Sequence, residues 1–325
     1  MQICVTGGAG FIGRHLVARL LGDGHAVVPV DVREPEFDGR GMDALRLADL
    51  RDPQSVDGLF AGVDVVVALA ADIGGMGHIS HHEYTILSNN IAIDSNTLNE
   101  AVRARVPRLV YASSACVYPK HLQNTTAARR LLEEDAWPSD PDGAYGAEKL
   151  WAEVALRYAG EEHGLKWTAA RLHNIYGPFG TYRGGREKAP AAICRKVAEV
   201  VDGGVVELWG DGRQTRSFCF IEDCVEALDR LIKSEYIGPI NVGSDHTVSI
   251  DELAATIAHL SGKHVAFTHV AGPQGVRGRS CDFSLLHEVV GWSPGVALRA
   301  GLQQTYEWIR AQVESASLEP DAPQA

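Results

Sequence analysis

The sequence has little of what membrane-spanning, nucleic-acid-binding or disulfide-rich proteins need. No apolar run approaches the roughly 20 residues of a membrane helix. The six cysteines are scattered without any CxxC pair, which argues against a disulfide framework or a zinc site. The formal net charge of -12 would repel nucleic acid and anionic membranes, and residues 1–5 resemble a strand without the basic region of a signal peptide. We therefore expect a cytoplasmic protein with reduced thiols that binds neither nucleic acid nor membrane.

The composition and the hydrophobic pattern are those of a folded α/β protein. Hydrophobic residues make up 45% and charged residues 22% of the 325-residue chain, which are ordinary globular values. Short apolar runs, typical of buried parallel strands, alternate with amphipathic stretches. The runs lie at 3–6, 26–31, 63–69, 108–113 and 167–172, and helices are predicted near 11–21, 83–104, 144–162, 189–201, 222–233 and 250–260. This alternation predicts a Rossmann fold with a doubly wound parallel sheet.

The second half of the chain predicts a smaller lobe. We expect the Rossmann domain over 1–172 and a smaller, interleaved C-terminal substrate-binding lobe over 173–312, where Gly- and Pro-rich loops separate the helices. A strand predicted at 238–242 would rejoin the sheet, so the two parts interleave near 238–243. Residues 313–325 are rich in Ser, Pro, Asp and Ala and are expected to form a flexible tail.

A glycine-rich turn follows the first predicted strand and opens a helix. Gly7, Gly10 and Gly13 give the spacing GxxGxxG, which lets the backbone approach a pyrophosphate at the helix N-terminus. Glycines that serve only close packing are the alternative. Asp31 favours the first interpretation, because it ends the second strand where a carboxylate can accept hydrogen bonds from an adenosine ribose. A 2′-phosphate would be repelled there, so NAD is favoured over NADP, although Arg33 keeps NADP open.

A tyrosine and a lysine four residues apart form a candidate acid/base pair. Tyr145 and Lys149 share one face of a predicted helix. A nearby ammonium lowers the pKa of a tyrosine, so its phenolate can take a proton from a hydroxyl as hydride leaves the same carbon. A half-buried Tyr beside a solvated Lys is the alternative. Ser114 adds weight, because it ends a predicted strand, where α/β sheets place their sites.

The chain resembles the extended short-chain dehydrogenase/reductase family, which has a glycine turn, a strand-end serine and a YxxxK pair in this order. The resemblance covers nearly the whole chain. The stretches Asn-Ile-Tyr-Gly-Pro from residue 174, Trp-Gly-Asp-Gly-Arg-Gln-Thr-Arg-Ser-Phe from 209 and Val-Val-Gly-Trp from 289 are similar to its nucleotide-sugar branch. The resemblance implies an NAD-dependent enzyme in which Asn174 and Arg216 contact the nucleotide sugar. An arginine near Arg277 or Arg279 would grip the diphosphate through forked bonds, with surface arginines as the alternative. The predicted cofactor contacts are Gly7, Gly10, Phe11, Ile12, Gly13, Asp31, Asp49, Leu50, Leu69, Ala71, Tyr145 and Lys149.

Further stretches narrow the resemblance to the GDP-sugar epimerases of that branch. These are Ala-Ala-Asp-Ile-Gly-Gly-Met-Gly from residue 70, Ser-Ser-Ala-Cys-Val-Tyr-Pro from 113, Asp-Ala-Trp-Pro from 135, Gly-Gly-Arg-Glu-Lys-Ala-Pro-Ala-Ala from 184 and Val-Arg-Gly-Arg from 276. The resemblance implies that Cys116 and Lys188 are the acid/base pair and that the loop at 74–76 lies along the sugar. The predicted substrate-binding residues are Gly74, Gly75, Met76, Ser114, Cys116, Asn174, Glu187, Lys188, Lys196, Gln214, Arg216, Arg277 and Arg279.

The two acid/base residues indicate a reaction. Once carbon 4 of the sugar is a ketone, the protons on carbons 3 and 5 become acidic, and Cys116 and Lys188 can remove one proton and return another to the opposite face. Taken alone, the thiol is more often inert and buried, and the lysine a solvated surface charge. The resemblance implies conversion of GDP-D-mannose to GDP-L-galactose, GDP-L-gulose or both, with no net redox change. His78 and Lys120 depart from the family pattern and leave open which carbon is inverted.

Other interpretations stay open from the sequence. Another epimerase, a dehydratase or a net oxidoreductase could act on a UDP- or dTDP-sugar, although the Asp-Glu pair of the branch's dehydratases is missing. A non-catalytic NAD-sensing or scaffold protein is disfavoured by the complete serine, tyrosine and lysine set. His78, His81 and His82 lie close together, but no further ligand type completes a metal site, so no metal is expected. The resemblance also implies a homodimer. The helix near 83–104 would pair with the Tyr145 helix across the dimer axis, with packing on its own sheet as the alternative.

Overall fold

The computed structural model describes residues 1–37 and 39–318. The strands are β1 (Gln2–Thr6), β2 (Ala26–Asp31), β3 (Arg46–Leu47), β4 (Val65–Ala68), β5 (Arg108–Ser114), β6 (Arg130–Leu131), β7 (Lys166–Leu172), β8 (Ile175–Tyr176), β9 (Val205–Trp209), β10 (Thr215–Ser217), β11 (Cys219–Phe220), β12 (Gly238–Val242), β13 (Thr247–Ser249), β14 (Ala266–Val270) and β15 (Gly278–Cys281). The helices are α1 (Phe11–Gly22), α2 (Pro53–Val56), α3 (Met76–Ile79), α4 (Glu83–Arg103), α5 (Gly143–His163), α6 (Ala189–Glu199), α7 (Ile221–Lys233), α8 (Ile250–Ser261), α9 (Ser284–Val290) and α10 (Leu298–Leu318).

A large parallel sheet organises the first half of the chain. Within the described residues it has seven strands in the order β12-β7-β5-β4-β1-β2-β3, and every neighbouring pair is parallel. Strand order reverses between β1 and β4, which opens a crevice at the C-terminal ends of the strands. The predicted α/β class with a doubly wound parallel sheet is therefore confirmed, and β12 returns from the second half to pair with β7.

The sheet is apolar on both faces because helices cover both. Along β1, Ile3 and Val5 pack into one hydrophobic cluster, whereas Cys4 between them packs into the other. This follows from the alternation of side chains along a strand. The first cluster includes Leu16 of α1, and the second includes Leu156 of α5. Burying each such aliphatic side chain contributes about 1.5–3 kcal/mol, so these two clusters fix the layers of the fold.

The smaller lobe is built from short strands and three packed helices. A four-stranded sheet has the order β13-β10-β15-β6, and β9 pairs with β14. Helix α10 packs on α6 and α8 and continues to Leu318, so the segment predicted as a tail from residue 313 is helical as far as that residue. The rest of the predicted tail, 319–325, lies outside the described residues. No helix in the described part is long and apolar enough to cross a membrane.

Candidate active site

The turn between β1 and α1 accepts only glycine at two of the predicted positions. A Cβ at Gly7 would lie 2.8 Å from the Ala70 backbone nitrogen, and one at Gly13 would lie 2.1 Å from the Gly7 carbonyl oxygen. Gly7 also has a φ of +67°, which favours glycine. Among the described residues, no side chain caps the N-terminus of α1 and no acid lies in its first turn. The N–H groups there are thus available to an anion, and the cradle fits the pyrophosphate of a dinucleotide.

The Asp31 carboxylate lies at the end of β2 beside this turn. Its Oδ2 accepts a hydrogen bond from the Ala9 N–H at 3.1 Å, and its Oδ1 accepts one from the Val32 N–H at 2.8 Å. These bonds fix the carboxylate where an adenosine ribose would lie, so the residue fits its predicted role. The other predicted cofactor residues are partly buried (Phe11, Ile12, Leu69, Ala71), buried (Leu50) or ion-paired (Asp49 with Arg51, at 2.7 Å).

Three of the predicted catalytic side chains meet where α5 passes the end of β5. Ser114 caps a 3₁₀ turn at Ala115–Val117, and its Oγ accepts a hydrogen bond from the Cys116 N–H at 3.1 Å. Helix α5 lies so close that a Cβ at Gly146 would be 2.1 Å from the Cys116 carbonyl oxygen. Tyr145 precedes this glycine and is 6% exposed. Gly146 therefore permits the approach of tyrosine to cysteine; sequence reasoning missed it, although a glycine inside a helical pattern is a signal for such contacts.

Replacing Gly146 with Ala is expected to destabilise the protein by about 1–3 kcal/mol, because the new methyl group must push α5 away from a backbone carbonyl. The measurement is the free energy of urea unfolding with NAD present. Gly22→Ala is the matched control: it is a helical glycine whose added Cβ would meet nothing within 4 Å, so its stability should stay equal or rise slightly. Equal stability of the two variants would contradict the close approach of α5.

Lys149 is 1% exposed and lies in a cage of acceptors. Its Nζ donates to the Tyr111 hydroxyl at 2.7 Å, and it lies 3.4 Å from a Glu148 oxygen and 3.6 Å from an Asp94 oxygen. Burial raises the pKa of Tyr145, and the Lys149 charge acts in the opposite direction. Burial also raises the pKa of Glu148. These acceptors hold the Lys149 ammonium beneath Tyr145. The sequence did not reveal them, because a buried acid on a helix cannot be told from an exposed acid by its residue type.

Two arginines lie side by side in the smaller lobe, because Arg216 of β10 is the register partner of Arg279 of β15. Arg279 donates to Asp142 at 2.9 Å and to Gln123 at 2.5 Å, and its Nη1 lies 3.5 Å from the Cys116 sulfur. Arg216 donates to three backbone carbonyls and has no carboxylate partner in the described part of the chain. Burial, with Arg279 beside it, lowers the pKa of Arg216 to about 9. An anionic ligand would therefore stabilise the charged form of Arg216.

The predicted loop at 74–76 packs on the segment that carries Lys188. The Gly75 N–H donates to the Arg186 carbonyl at 2.9 Å, and a Cβ at Gly75 would lie 2.2 Å from the Glu187 carbonyl oxygen. Lys188 is the N-cap residue of α6 and is exposed. The protein around its amine lowers the pKa of Lys188 by desolvation, and the charge of Cys116 acts in the opposite direction.

The remaining predicted substrate residues fall into two groups. Near the cleft, the Gln214 Oε1 and the Glu187 Oε2 are buried with no hydrogen-bond partner among the described residues. Asn174 has a φ of +44°, and its amide donates to the Ser217 carbonyl at 2.8 Å. Gly74 is buried, and Met76 lies beside Arg216, since a Cβ at Gly275 would be 3.5 Å from both.

Arg277 and Lys196 are engaged within the smaller lobe. Arg277 makes a forked ion pair with Asp211, at 2.9 and 3.0 Å. Lys196 donates to the Glu207 carbonyl at 2.7 Å. In the described part of the chain, neither has a hydrogen bond or ion pair to Cys116. Both side chains are therefore already paired within the smaller lobe, and their contact with substrate stays a prediction.

Two of the three neighbouring histidines bond to the backbone, and two of them stack on each other. The rings of His78 and His82 stack with centroids 4.4 Å apart. The Nδ1 atoms of His81 and His82 lie 2.8 and 2.9 Å from the carbonyl oxygens of Gly77 and His78, so they act as donors. No group of three or more His, Cys, Asp or Glu side chains among the described residues could hold a metal ion.

A glycine turn follows β1, a serine ends β5, and a tyrosine and a lysine lie on α5. This arrangement is that of a dinucleotide-dependent enzyme of the short-chain dehydrogenase/reductase class. The sequence model of the NAD dependent epimerase/dehydratase family matches residues 3–243. The chain belongs to this family, and its cofactor is NAD.

Named relatives agree with this assignment. The chain is 44% identical to GDP-mannose 3,5-epimerase of Arabidopsis thaliana and 45% identical to GDP-mannose 3,5-epimerase 1 of Oryza sativa subsp. japonica, in both cases over 97% of this chain and 83% of the relative. A solved structure, UDP-glucose 4-epimerase of Thermus thermophilus in complex with NAD, is similar with a TM-score of 0.84 and 27% identity, covering 95% of this chain and 99% of that chain. The predicted family, enzyme class and cofactor are confirmed.

Proposed function

We propose that this chain is a GDP-mannose 3,5-epimerase, which converts GDP-D-mannose to GDP-L-galactose, GDP-L-gulose or both. The observation that carries the proposal is the Cys116 turn, where a partly exposed thiol lies beside buried Tyr145 and 3.5 Å from an Arg279 nitrogen. The charge of Cys116 also acts to raise the pKa of the Lys188 amine, against the effect of desolvation. A 4-epimerase needs no second acid/base pair beside its tyrosine, whereas inversion of carbons 3 and 5 does. The two plant relatives support GDP-mannose as the substrate.

The first step concerns the hydroxyl on carbon 4. Ser114 ends β5, and Tyr145 lies on α5, which approaches the backbone of Cys116 at Gly146. The two hydroxyls are proposed to hold the sugar hydroxyl between them. Tyr145 takes its proton, and the caged Lys149 ammonium stabilises the phenolate from below. When bound, NAD supplies the hydride acceptor and later the hydride donor. The same tyrosine returns the proton when carbon 4 is restored.

The second step is inversion. A ketone at carbon 4 makes the protons on carbons 3 and 5 acidic, and the Cys116 thiolate removes one of them. Lys188, as an ammonium, delivers a proton to the opposite face of the same carbon. Cys116 is then a thiol and Lys188 a neutral amine, and exchange with solvent resets both. Desolvation lowers the pKa of Lys188, which makes the ammonium a better acid.

Placement of the nucleotide follows from the unsatisfied groups of the cleft. Arg216 has no carboxylate partner in the described part of the chain, which suits it to a phosphate. Gln214 and Glu187 each offer a buried oxygen without a partner, and such atoms gain most from a hydrogen-bond donor on a ligand. Sugar hydroxyls are donors of this kind. These three side chains, with Asn174, are assigned to the substrate.

Incubation with GDP-mannose in deuterated water, without added reductant, tests the function. We expect deuterium at carbon 3, carbon 5 or both, with new L-galactose or L-gulose signals in the NMR spectrum and a matching mass increase. UDP-glucose serves as the control nucleotide sugar and should stay unlabelled at these carbons. If GDP-mannose stays unlabelled while a UDP- or dTDP-sugar is consumed, the family and cofactor stand and the substrate is wrong.

We also propose a homodimer formed through α4 and α5. Large apolar side chains are exposed on both helices, namely Tyr84 (81%), Trp151 (40%) and Tyr158 (49%), and exposed patches of this kind often mark interfaces. Light scattering should then give twice the mass of one chain.

The cytoplasm is the proposed compartment, which the six unpaired cysteines support.

A further inference from the structure

We propose that Glu148 is a positioning residue that holds a proton in the resting enzyme and thereby lets the Lys149 ammonium stabilise the Tyr145 phenolate. Glu148 directly precedes Lys149 on α5 and is 1% exposed. The two steps of the proposed reaction leave this buried acid without a role. The inference rests on the proposed function for the role of Tyr145 as the proton acceptor.

Two buried acids face one buried ammonium. The Lys149 Nζ lies 3.4 Å from a Glu148 oxygen and 3.6 Å from an Asp94 oxygen. Asp94 belongs to α4, so the two acids meet where α4 packs on α5. If both acids were ionised, the cluster would carry one more negative than positive charge in a buried place, which is unfavourable. A proton on one of the two acids removes this excess.

The hydroxyl group of Tyr111 on β5 indicates which acid holds the proton. Its oxygen accepts a hydrogen bond from the Lys149 Nζ at 2.7 Å, and it lies 2.6 Å from the Asp94 Oδ2 and 3.3 Å from the Glu148 Oε1. A hydroxyl has one proton, so it can donate to one of the two carboxyl groups. The shorter distance gives this bond to Asp94. The contact with Glu148 is then a hydrogen bond only if Glu148 donates, which a protonated carboxyl group does.

The other oxygen of Glu148 is held by a neutral group. The Glu148 Oε2 accepts a hydrogen bond from the Asn90 amide at 3.2 Å. Asn90 is itself fixed, because its Oδ1 accepts from the Asp72 N–H at 2.7 Å and its amide donates to the Asp72 carbonyl at 3.1 Å. Burial, with the hydrogen bond and the charge of Asp94, raises the pKa of Glu148 to about 8, against the charge of Lys149. At neutral pH the acid is therefore mainly uncharged.

The charge of Glu148 acts on the catalytic tyrosine in the same cluster. The Lys149 Nζ lies 5.6 Å from the centre of the Tyr145 ring. Burial raises the pKa of Tyr145, the Lys149 charge lowers it, and the charges of Cys116, Glu148 and Asp94 raise it further. A neutral Glu148 removes one of these opposing charges. The phenolate therefore forms more easily while Glu148 keeps its proton.

Titration of the Tyr145 phenolate measures this effect without any sugar. The ultraviolet absorbance of the NAD-loaded protein is followed as pH rises, and the same titration of the matching Tyr145→Phe protein is subtracted. At the alkaline pH of this titration Glu148 is ionised in the wild-type protein. We expect the phenolate to form about one pH unit or more lower in Glu148→Gln, because a nearby like charge is removed. Glu148→Ala should shift it in the same direction. Glu161→Gln, at an exposed acid of the same helix, is the matched control and should cause no shift.

The free energy of urea unfolding as a function of pH tests whether Glu148 holds a proton in the folded protein. The folded-state pKa is raised from its ordinary value of 4.5 to about 8. The wild-type protein therefore loses stability as pH rises between these two values, whereas an amide has no proton to lose. Glu148→Gln should be at least as stable as the wild-type protein at about pH 6, and its advantage should grow up to about pH 8. For Glu161→Gln, no such growth is expected.

The proposal is overturned if Glu148→Gln fails to fold or is less stable than the wild-type protein at about pH 6, since Glu148 would then be an ionised partner of Lys149. An advantage that does not grow with pH, or a Tyr145 phenolate that titrates as in the wild-type protein, would overturn it as well. Because neither measurement contains a sugar, both stay interpretable if GDP-mannose is not the substrate.

Discussion

Tyr145→Phe is expected to lower turnover of GDP-mannose by about a thousandfold or more, because general acid-base catalysis by one side chain contributes about 10²–10⁴. The change removes only the hydroxyl, so the ring still packs beside Gly146 and Lys149 remains in its cage. Without the phenolate, the proton on the carbon 4 hydroxyl has no acceptor and the ketone does not form. Deuterium uptake at carbons 3 and 5 should therefore stop together with product formation, which one NMR time course in deuterated water measures.

Tyr158→Phe is the matched control for this experiment. Tyr158 lies on the same helix and is 49% exposed, so loss of its hydroxyl should leave turnover unchanged. Both variants should still bind NAD, since the glycine turn and Asp31 are untouched. Continued solvent exchange in the Tyr145→Phe protein would rule out a transient ketone as the route to epimerisation.

The fold of the first half could be predicted because its signals are local. Each strand of the sheet centre is a continuous apolar run, such as the fully buried Val65–Ala68, and each helix between them has an apolar stripe. The glycine turn also carries its own marker, since only glycine fits at positions 7 and 13. Alternating strands and helices then leave few topologies. The predicted parallel sheet followed from these features alone.

The smaller lobe could not be predicted in the same detail because its strands are short and their partners are distant. β6 and β11 have only two residues each, and the register partners of β10 are thirty or more residues away along the chain. No periodicity can emerge in two or three residues. The register of β10 with β15, which sets Arg216 beside Arg279, was therefore invisible in the sequence. So was the extension of α10 to Leu318, because polar and small residues there mask the helical pattern.

For the candidate site, the sequence identified the residue types and the structure supplied their partners. The resemblance pointed to Cys116 and Lys188, and their pairing as acid and base stays a prediction. The sequence could not reveal which carboxylate pairs with which arginine. Arg279 bonds to Asp142 and lies beside the Cys116 thiol, whereas Arg277 pairs with Asp211. The two arginines in the stretch Arg-Gly-Arg look equivalent in the sequence, but Arg277 precedes β15, whereas Arg279 lies within this strand and is buried.

Cys116→Ala is expected to lower the rate of epimerisation by about a thousandfold or more. The reason differs from that for Tyr145→Phe. The thiol is the acceptor for the protons on carbons 3 and 5, so its loss should stop deuterium uptake at both. Tyr145, Ser114 and Lys149 remain, so oxidation of carbon 4 should still occur. The reduced cofactor should then accumulate on the enzyme, and its near-ultraviolet absorbance measures this. Cys194→Ala, at a buried cysteine of α6, should keep the activity.

Lys188→Met separates the two halves of the inversion. If Cys116 removes the proton and Lys188 returns one to the other face, this variant can still exchange the proton through the thiol, so recovered GDP-mannose should carry deuterium without any new epimer. Cys116→Ala should show neither label nor epimer. A Cys116→Ala protein that labels and inverts the sugar normally would show that another base acts at the ring. Unlabelled sugar from Lys188→Met would instead make the lysine the first base and reverse the order of the pair.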